Sequence, residues 1–132
     1  MDIKESDFSG EGMNRVYENQ KWMVGIKNWK PANDISGIDC LERHNETDEL
    51  FILLAGACTL IYANKNGEQL DIQAVKMEPF KVYNITASLW HNTVTRKDTK
   101  LALIEDSSTG SSNSEIMHLD AAQIARVKQL VL

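Results

Sequence analysis

Four side chains in this 132-residue sequence have the types and spacing of a metal-binding set: Glu42, His44, Glu49 and His91. Imidazole nitrogen and carboxylate oxygen together suit Zn, Fe, Mn or Ni, and the carboxylate share favours Mn or Fe over copper. Glu42 and His44 are two residues apart, so on a regular strand both project from one face. Glu49 follows the turn Asn45-Glu46-Thr47-Asp48, which can fold the chain back beside that strand. His91 arrives from a distant strand and must come from the facing part of the structure. The third histidine, His118, has no such company and reads as structural. Cys40 shares the face of Glu42 and His44, and its simplest role is a small core residue.

The elements that would position these groups are strands. Residues 22–29 place Trp22, Val24 and Ile26 on one face, and residues 35–44 alternate so that Ile38, Cys40, Glu42 and His44 share another. Residues 49–63 form a long apolar run broken at Gly56, which marks a turn or sharp bend. Asn66-Gly67 is a strong hairpin signal, with both residues expected at the centre of a type I′ turn. Further strands are expected at 81–85, 91–95 and 100–105. Short strands at this spacing indicate an all-β sandwich or barrel. The stretch 107–114 reads as a flexible Ser/Gly/Asn linker. Beyond it, Asp120 and Gln123 have capping-box spacing, and Ile124, Val127 and Val131 recur at helical spacing. A short helix over about 120–131 is predicted there.

At the four candidate ligands the sequence resembles the cupin superfamily. Its first motif is a His-x-His pair, three or four residues, a Glu, six residues and a Gly. Here Glu42-Arg43-His44 is followed by four residues, Glu49, six residues and Gly56. The second motif runs Pro-x-Gly-x-x-His with an Asn four residues on. In its place stand Thr86-Ala87-Ser88-Leu89-Trp90-His91 and Thr95, so only the histidine is kept. The resemblance spans residues 21–106. It implies a cupin double-stranded β-helix, a jelly-roll barrel, with a divalent metal ion on Glu42, His44, Glu49 and His91. It also implies a homodimer, and the large side chains of residues 22–29 would suit an edge that a partner covers. Glu42 replaces the family's first histidine, and it is either a fourth ligand or a general base beside an open position.

Length and composition frame these expectations. The chain reads as one domain, with an arm over 1–15 and the cupin domain over 16–132. A 42% apolar and 25% charged composition is ordinary for a globular protein, and the net charge of −5 argues against a nucleic-acid partner. No apolar run reaches membrane-spanning length, and no secretory signal follows the start. Cys40 and Cys58 read as buried thiols in a reducing cytoplasm. Function is then expected to be that of a metal-dependent cupin acting on a sugar or oxo-acid. The alternatives are a ligand-binding module without chemistry, or a metal-free sugar-nucleotide epimerase-like protein using His44 and Tyr83.

Overall fold

A computed structural model describes residues 2–132. Ten strands form two antiparallel sheets. They are β1 (Gly12–Glu18), β2 (Trp22–Asn28), β3 (Cys40–His44), β4 (Glu49–Ala55), β5 (Cys58–Asn66), β6 (Gln69–Lys76), β7 (Val82–Ile85), β8 (Trp90–Thr95), β9 (Lys100–Asp106) and β10 (Ser114–His118). One sheet has the order β1-β2-β9-β4-β7 and the other β10-β3-β8-β5-β6. Consecutive strands β3 and β4, and again β7, β8 and β9, alternate between the sheets, which is the jelly-roll way of closing a barrel. The helix α1 (Ala121–Val131) follows. Asp120 caps it, with Asp120 Oδ1 accepting from Gln123 N at 2.8 Å and Gln123 Oε1 accepting from Asp120 N at 2.9 Å.

Alternation sorts the side chains into two cores. Between the sheets, Met23, Phe51, Leu53, Cys58, Leu60, Leu101 and Leu103 pack together. Each such buried side chain stabilises the fold by roughly 1.5–3 kcal/mol. On the outer face of the second sheet, Leu41, Ile61, Ala63, Trp90 and Val94 are covered by Val127 of α1. Trp90 and His91 therefore face opposite sides, as period-two geometry requires.

Several local expectations are corrected. The inward face of β2 carries Met23, while Trp22, on the opposite face with Val24 and Ile26, is 44% exposed. β2 is also no edge, because β1 pairs with it on one side and β9 on the other. β1 opens at Gly12, inside the stretch read as an arm. Residues 35–37 are not strand: a 3-10 turn at Pro31–Asn33 and a further turn occupy that region, and β3 begins at Cys40. In the β5–β6 hairpin Asn66 pairs with Gln69, so Gly67 and Glu68 are the central residues. Among the non-proline positions of that turn only Gly67 has positive φ, at +67°, which is the type II′ pattern rather than I′. The 107–114 stretch is more than a linker, since it leads into β10, which pairs with β3. Cys40 and Cys58 are free thiols; Cys58 is buried and Cys40 only partly so.

Three positions hold left-handed backbone at the joints between sheets: Gly56, Phe80 and Ser88. Gly56 has φ +75°, and a Cβ there would lie 2.6 Å from Thr99 Cα and 2.7 Å from Asp98 O. Ser88 has φ +70° and stands three residues before His91, where the second cupin motif places glycine. The conformation survives although the glycine does not, at a steric cost of about 1–2 kcal/mol. We expect Gly56→Ala to lower stability by about 2 kcal/mol or more, and Ser88→Gly to raise it by about 0.5–1 kcal/mol. Urea denaturation of both variants checks the opposite signs; equal effects would contradict the two backbone assignments.

Candidate functional site

The four predicted residues meet at one end of the barrel. Glu42 and His44 lie on β3, and Glu42 pairs in register with His91 of β8. His91 is thus a same-sheet neighbour of β3, not a residue from the facing sheet. Glu49 takes that place: its strand crosses to the other sheet, where Glu49 pairs with Ile85 and Glu105. The expected geometry was inverted because the 45–48 turn bridges the two sheets instead of forming a hairpin. Asp48 fixes this bridge, accepting from Ala87 N at 2.9 Å through Oδ1. Ser88 N donates to His44 O at 2.7 Å, which ties the turn before His91 to the end of β3.

At the centre, Glu49 Oε1 lies 3.1 Å from His91 Nε2 and 3.4 Å from His44 Nε2. Glu42 Oε1 is 4.0 Å from each of those nitrogens and is 40% exposed on the rim. A fifth group, Glu105, brings Oε2 to 4.0 Å from His44 Nε2. Two overlapping sets, Glu42-His44-His91 and His44-Glu49-Glu105, each place their donor atoms within 4.8 Å of one another. Glu105 went unnoticed in the sequence, although it continues the inward face of Leu101 and Leu103. That alternation was the available signal.

The outer nitrogens of both imidazoles are engaged. His91 Nδ1 donates to Leu89 O at 2.9 Å, and His44 Nδ1 shares a hydrogen bond of 2.8 Å with Ser114 Oγ. With Nδ1 carrying its proton, a neutral His91 turns the Nε2 lone pair on Glu49 Oε1. That contact becomes attractive when a proton or a metal ion lies between the two. His44 Nε2 and Glu105 Oε2 are buried and find no hydrogen-bond partner. Buried polar atoms left this way cost about 1–3 kcal/mol each. Imidazole nitrogens backed by a carbonyl and a hydroxyl, facing carboxylate oxygens, are what a divalent ion requires of its ligands. The donor set fits such an ion.

A cavity of about 680 Å³ leads to the cluster, lined by Lys27, Arg15, Leu103, Ser114 and the loop at Thr109–Ser111 as well as by the acids. Tyr83 is not on this wall; its hydroxyl accepts from Glu78 N at 2.8 Å, so it is not brought to His44.

Electrostatics follow from the crowding. Burial alone would raise the Glu49 carboxyl, but His44 and His91 beside it outweigh burial and hold its pKa at about 2. Glu105 is pushed up to about 8, first by burial and then by the Glu49 charge across the strand pair. His44 is raised, chiefly by Glu49. A carboxyl raised in the fold keeps a proton that the unfolded chain releases near pH 4.5, so stability falls as pH rises from there to about 8. The raised His44 acts in the same direction, its contribution being lost as pH rises through its folded value. Glu49 acts in the opposite sense and only in acid, between about 4.5 and about 2. We expect the melting temperature of metal-free protein to decline from pH 6 to pH 8, with Glu105→Gln flattening the decline. Melting curves with chelator present test this; an unchanged slope in Glu105→Gln would count against the buried-acid assignment.

No family profile matches the sequence, and no curated protein matches it. Solved structures do match. A cupin-2 domain protein from Shewanella frigidimarina is 16% identical with TM-score 0.53, over 75% of this chain and 84% of that one. KdgF from Halomonas is 11% identical with TM-score 0.55, over 76% and 81%. Streptomyces Pac13, described as a nucleoside dehydratase, is 7% identical with TM-score 0.59, over 88% and 87%. Likeness at these identities concerns architecture. Together with the two interleaved five-stranded sheets, it establishes that this chain has the cupin fold.

Proposed function

We propose that the chain binds a divalent metal ion on His44, Glu49, His91 and Glu42, with Glu105 as a further oxygen donor, and uses it on a small oxygen-rich molecule. The observation that carries this reading is the set of buried donor atoms left facing one another, above all His44 Nε2 and Glu105 Oε2. Three oxygen donors and two nitrogens favour Mn, Fe or Zn. Bound there, such an ion supplies Lewis acidity toward a hydroxyl or carbonyl oxygen. The chain's own residues do the rest. His44, held by Ser114, and His91, held by the Leu89 carbonyl, keep their nitrogens aimed at one point. If Glu42 does not ligate the ion, its place on the solvated rim makes it the general base that takes a proton from an incoming molecule and returns it.

A second reading is metal-free acid–base chemistry, favoured by the 3.1 Å contact between His91 and Glu49, which closes as an ion pair when the imidazole is protonated. Elemental analysis separates the two. Wild-type protein and His118→Ala should retain close to one equivalent of metal after loading and desalting, while His91→Ala should retain about a tenth or less. Retention should fail in acid, where the imidazoles take up protons. Equal metal in the two histidine variants would defeat the metal reading.

We also propose that the chain pairs with a second copy. Among the described residues the first sheet ends in the edge strands β1 and β7 and the second in β10 and β6, each paired on one side only, and such edges need cover. Among the described residues no helix is long and apolar enough to cross a membrane. Light scattering should give twice the mass of one chain at micromolar concentration; a single-chain mass would reject the pairing.

A further inference from the structure

Lys27 is the one group on the cavity wall whose placement the proposed metal chemistry leaves unexplained. It lies on the inward face of β2, in register with Met13 of β1 and Leu101 of β9. Leu101 is wholly buried, so this row of the sheet points into the barrel. Gly25, the next inward position of β2, carries no side chain, and a Cβ there would sit 2.9 Å from Met13 Sδ. The floor between Lys27 and the acidic cluster is therefore low and apolar. Among the described residues no carboxylate lies within 4 Å of the Lys27 ammonium, and it donates no hydrogen bond. Burial lowers its pKa, against the pull of Glu49 and then Glu42.

A counter-ion role does not account for this. A lysine stem is long and flexible, and an ammonium serving only to balance the acids would close on one of them. The other cations of the mouth are otherwise engaged or placed. Arg15 donates to Ser107 O at 3.0 Å and to Thr109 O at 2.8 Å, holding the loop that forms the cavity rim. Lys30 is exposed. One interior ammonium thus stands free, opposite a cluster of oxygen and nitrogen donors, across a cavity of about 680 Å³.

We infer that Lys27 anchors the carboxylate of a short hydroxy- or oxo-acid whose other oxygen meets the His–Glu cluster. This rests on the metal reading above and adds to it the class of molecule. A carboxylate needs one compact positive charge, which Lys27 provides. The guanidinium fork on this wall already serves two backbone carbonyls, so a doubly charged phosphate would meet only one point charge here, whereas a singly charged carboxylate is matched by one ammonium. The apolar floor from Gly25 to Leu103 suits the carbon chain between the two ends.

The test is calorimetric titration at pH 7 of metal-loaded protein with L-malate, glycerol and inorganic phosphate, with metal content measured on the same samples. Malate should bind and glycerol should not. Lys27→Met should weaken malate by about tenfold or more at unchanged metal content, Lys27→Arg should keep most of the affinity, and Lys30→Met should change it less than about twofold. Should Lys27→Met melt before 37 °C, Lys27→Gln takes its place. Malate affinity unaltered by loss of the Lys27 charge overturns the anchor while leaving the metal reading intact, and so does wild-type protein that binds no malate. Phosphate binding more tightly than malate overturns the carboxylate assignment. Wild-type protein that takes up no metal sinks the metal reading instead, and the anchor then stands only if metal-free protein binds malate with the same Lys27 dependence.

Discussion

Taking a carboxylate out of water costs several kcal/mol unless other charges or hydrogen bonds replace what water gave. Glu49, with a side chain only 6% exposed, faces two imidazoles at 3.1 Å and 3.4 Å, and that demand is met when a proton or a cation lies between them. Neither imidazole is free to turn. One ring is fixed by a backbone carbonyl two residues away, the other by a serine on β10. The β3–β4 turn, the left-handed Ser88 and the return of β10 alongside β3 all serve this arrangement. Displacing any of them would leave Glu49 buried without its partners, so the polar end of the barrel constrains the backbone around it.

The rest of the barrel is organised so that this polar end can exist. Along β9 the inward face reads Leu101, Leu103, Glu105, and along β4 it reads Leu53, Phe51, Glu49. Both strands run from an apolar interior to an acidic mouth, and in register they deliver Glu105 opposite Glu49. Two ionised carboxylates facing each other across a strand pair would be destabilising, and the proton held on Glu105 relieves that repulsion. The second core, under α1, lies outside the barrel wall and stiffens β3, β5 and β8, two of which carry ligand candidates.

Much of this was legible in the sequence because strand alternation is local. Glu42 and His44 on one face, the bend at Gly56, the capped helix and the opposition of Trp90 and His91 all follow from period and spacing. What stayed hidden depends on which strands become neighbours. Periodicity could not tell that β4 would leave the sheet of β3, so Glu49 and His91 were assigned to each other's places. Glu105 looked like the polar end of an apolar strand, and only its pairing with Glu49 gives it meaning. Ser114 seemed part of a linker because a five-residue strand without an apolar pattern leaves no mark. Lys27 was obscured by its larger neighbours: the apolar alternation of β2 falls on Trp22, Val24 and Ile26, whereas Met23, Gly25 and Lys27 form the inward face.

The substitution of glutamate at position 42 can be understood through charge. Glu42 stands in register with His91 and its carboxylate is equidistant, at 4.0 Å, from both imidazole nitrogens. It therefore stands among the candidate donors and adds a negative charge where an imidazole would be neutral. With Glu49 and Glu105 the mouth then carries three carboxyl groups against one interior ammonium, Lys27. Three ionised carboxylates would leave the mouth strongly anionic, and the fold lowers that charge by keeping a proton on Glu105, the carboxyl with the least access to imidazole. On the metal reading proposed above, a divalent ion would take that proton's place. An additional acid at 42 is tolerable at this mouth because Glu42 keeps its contact with solvent on the rim while Glu105, among the buried carboxyls, holds a proton.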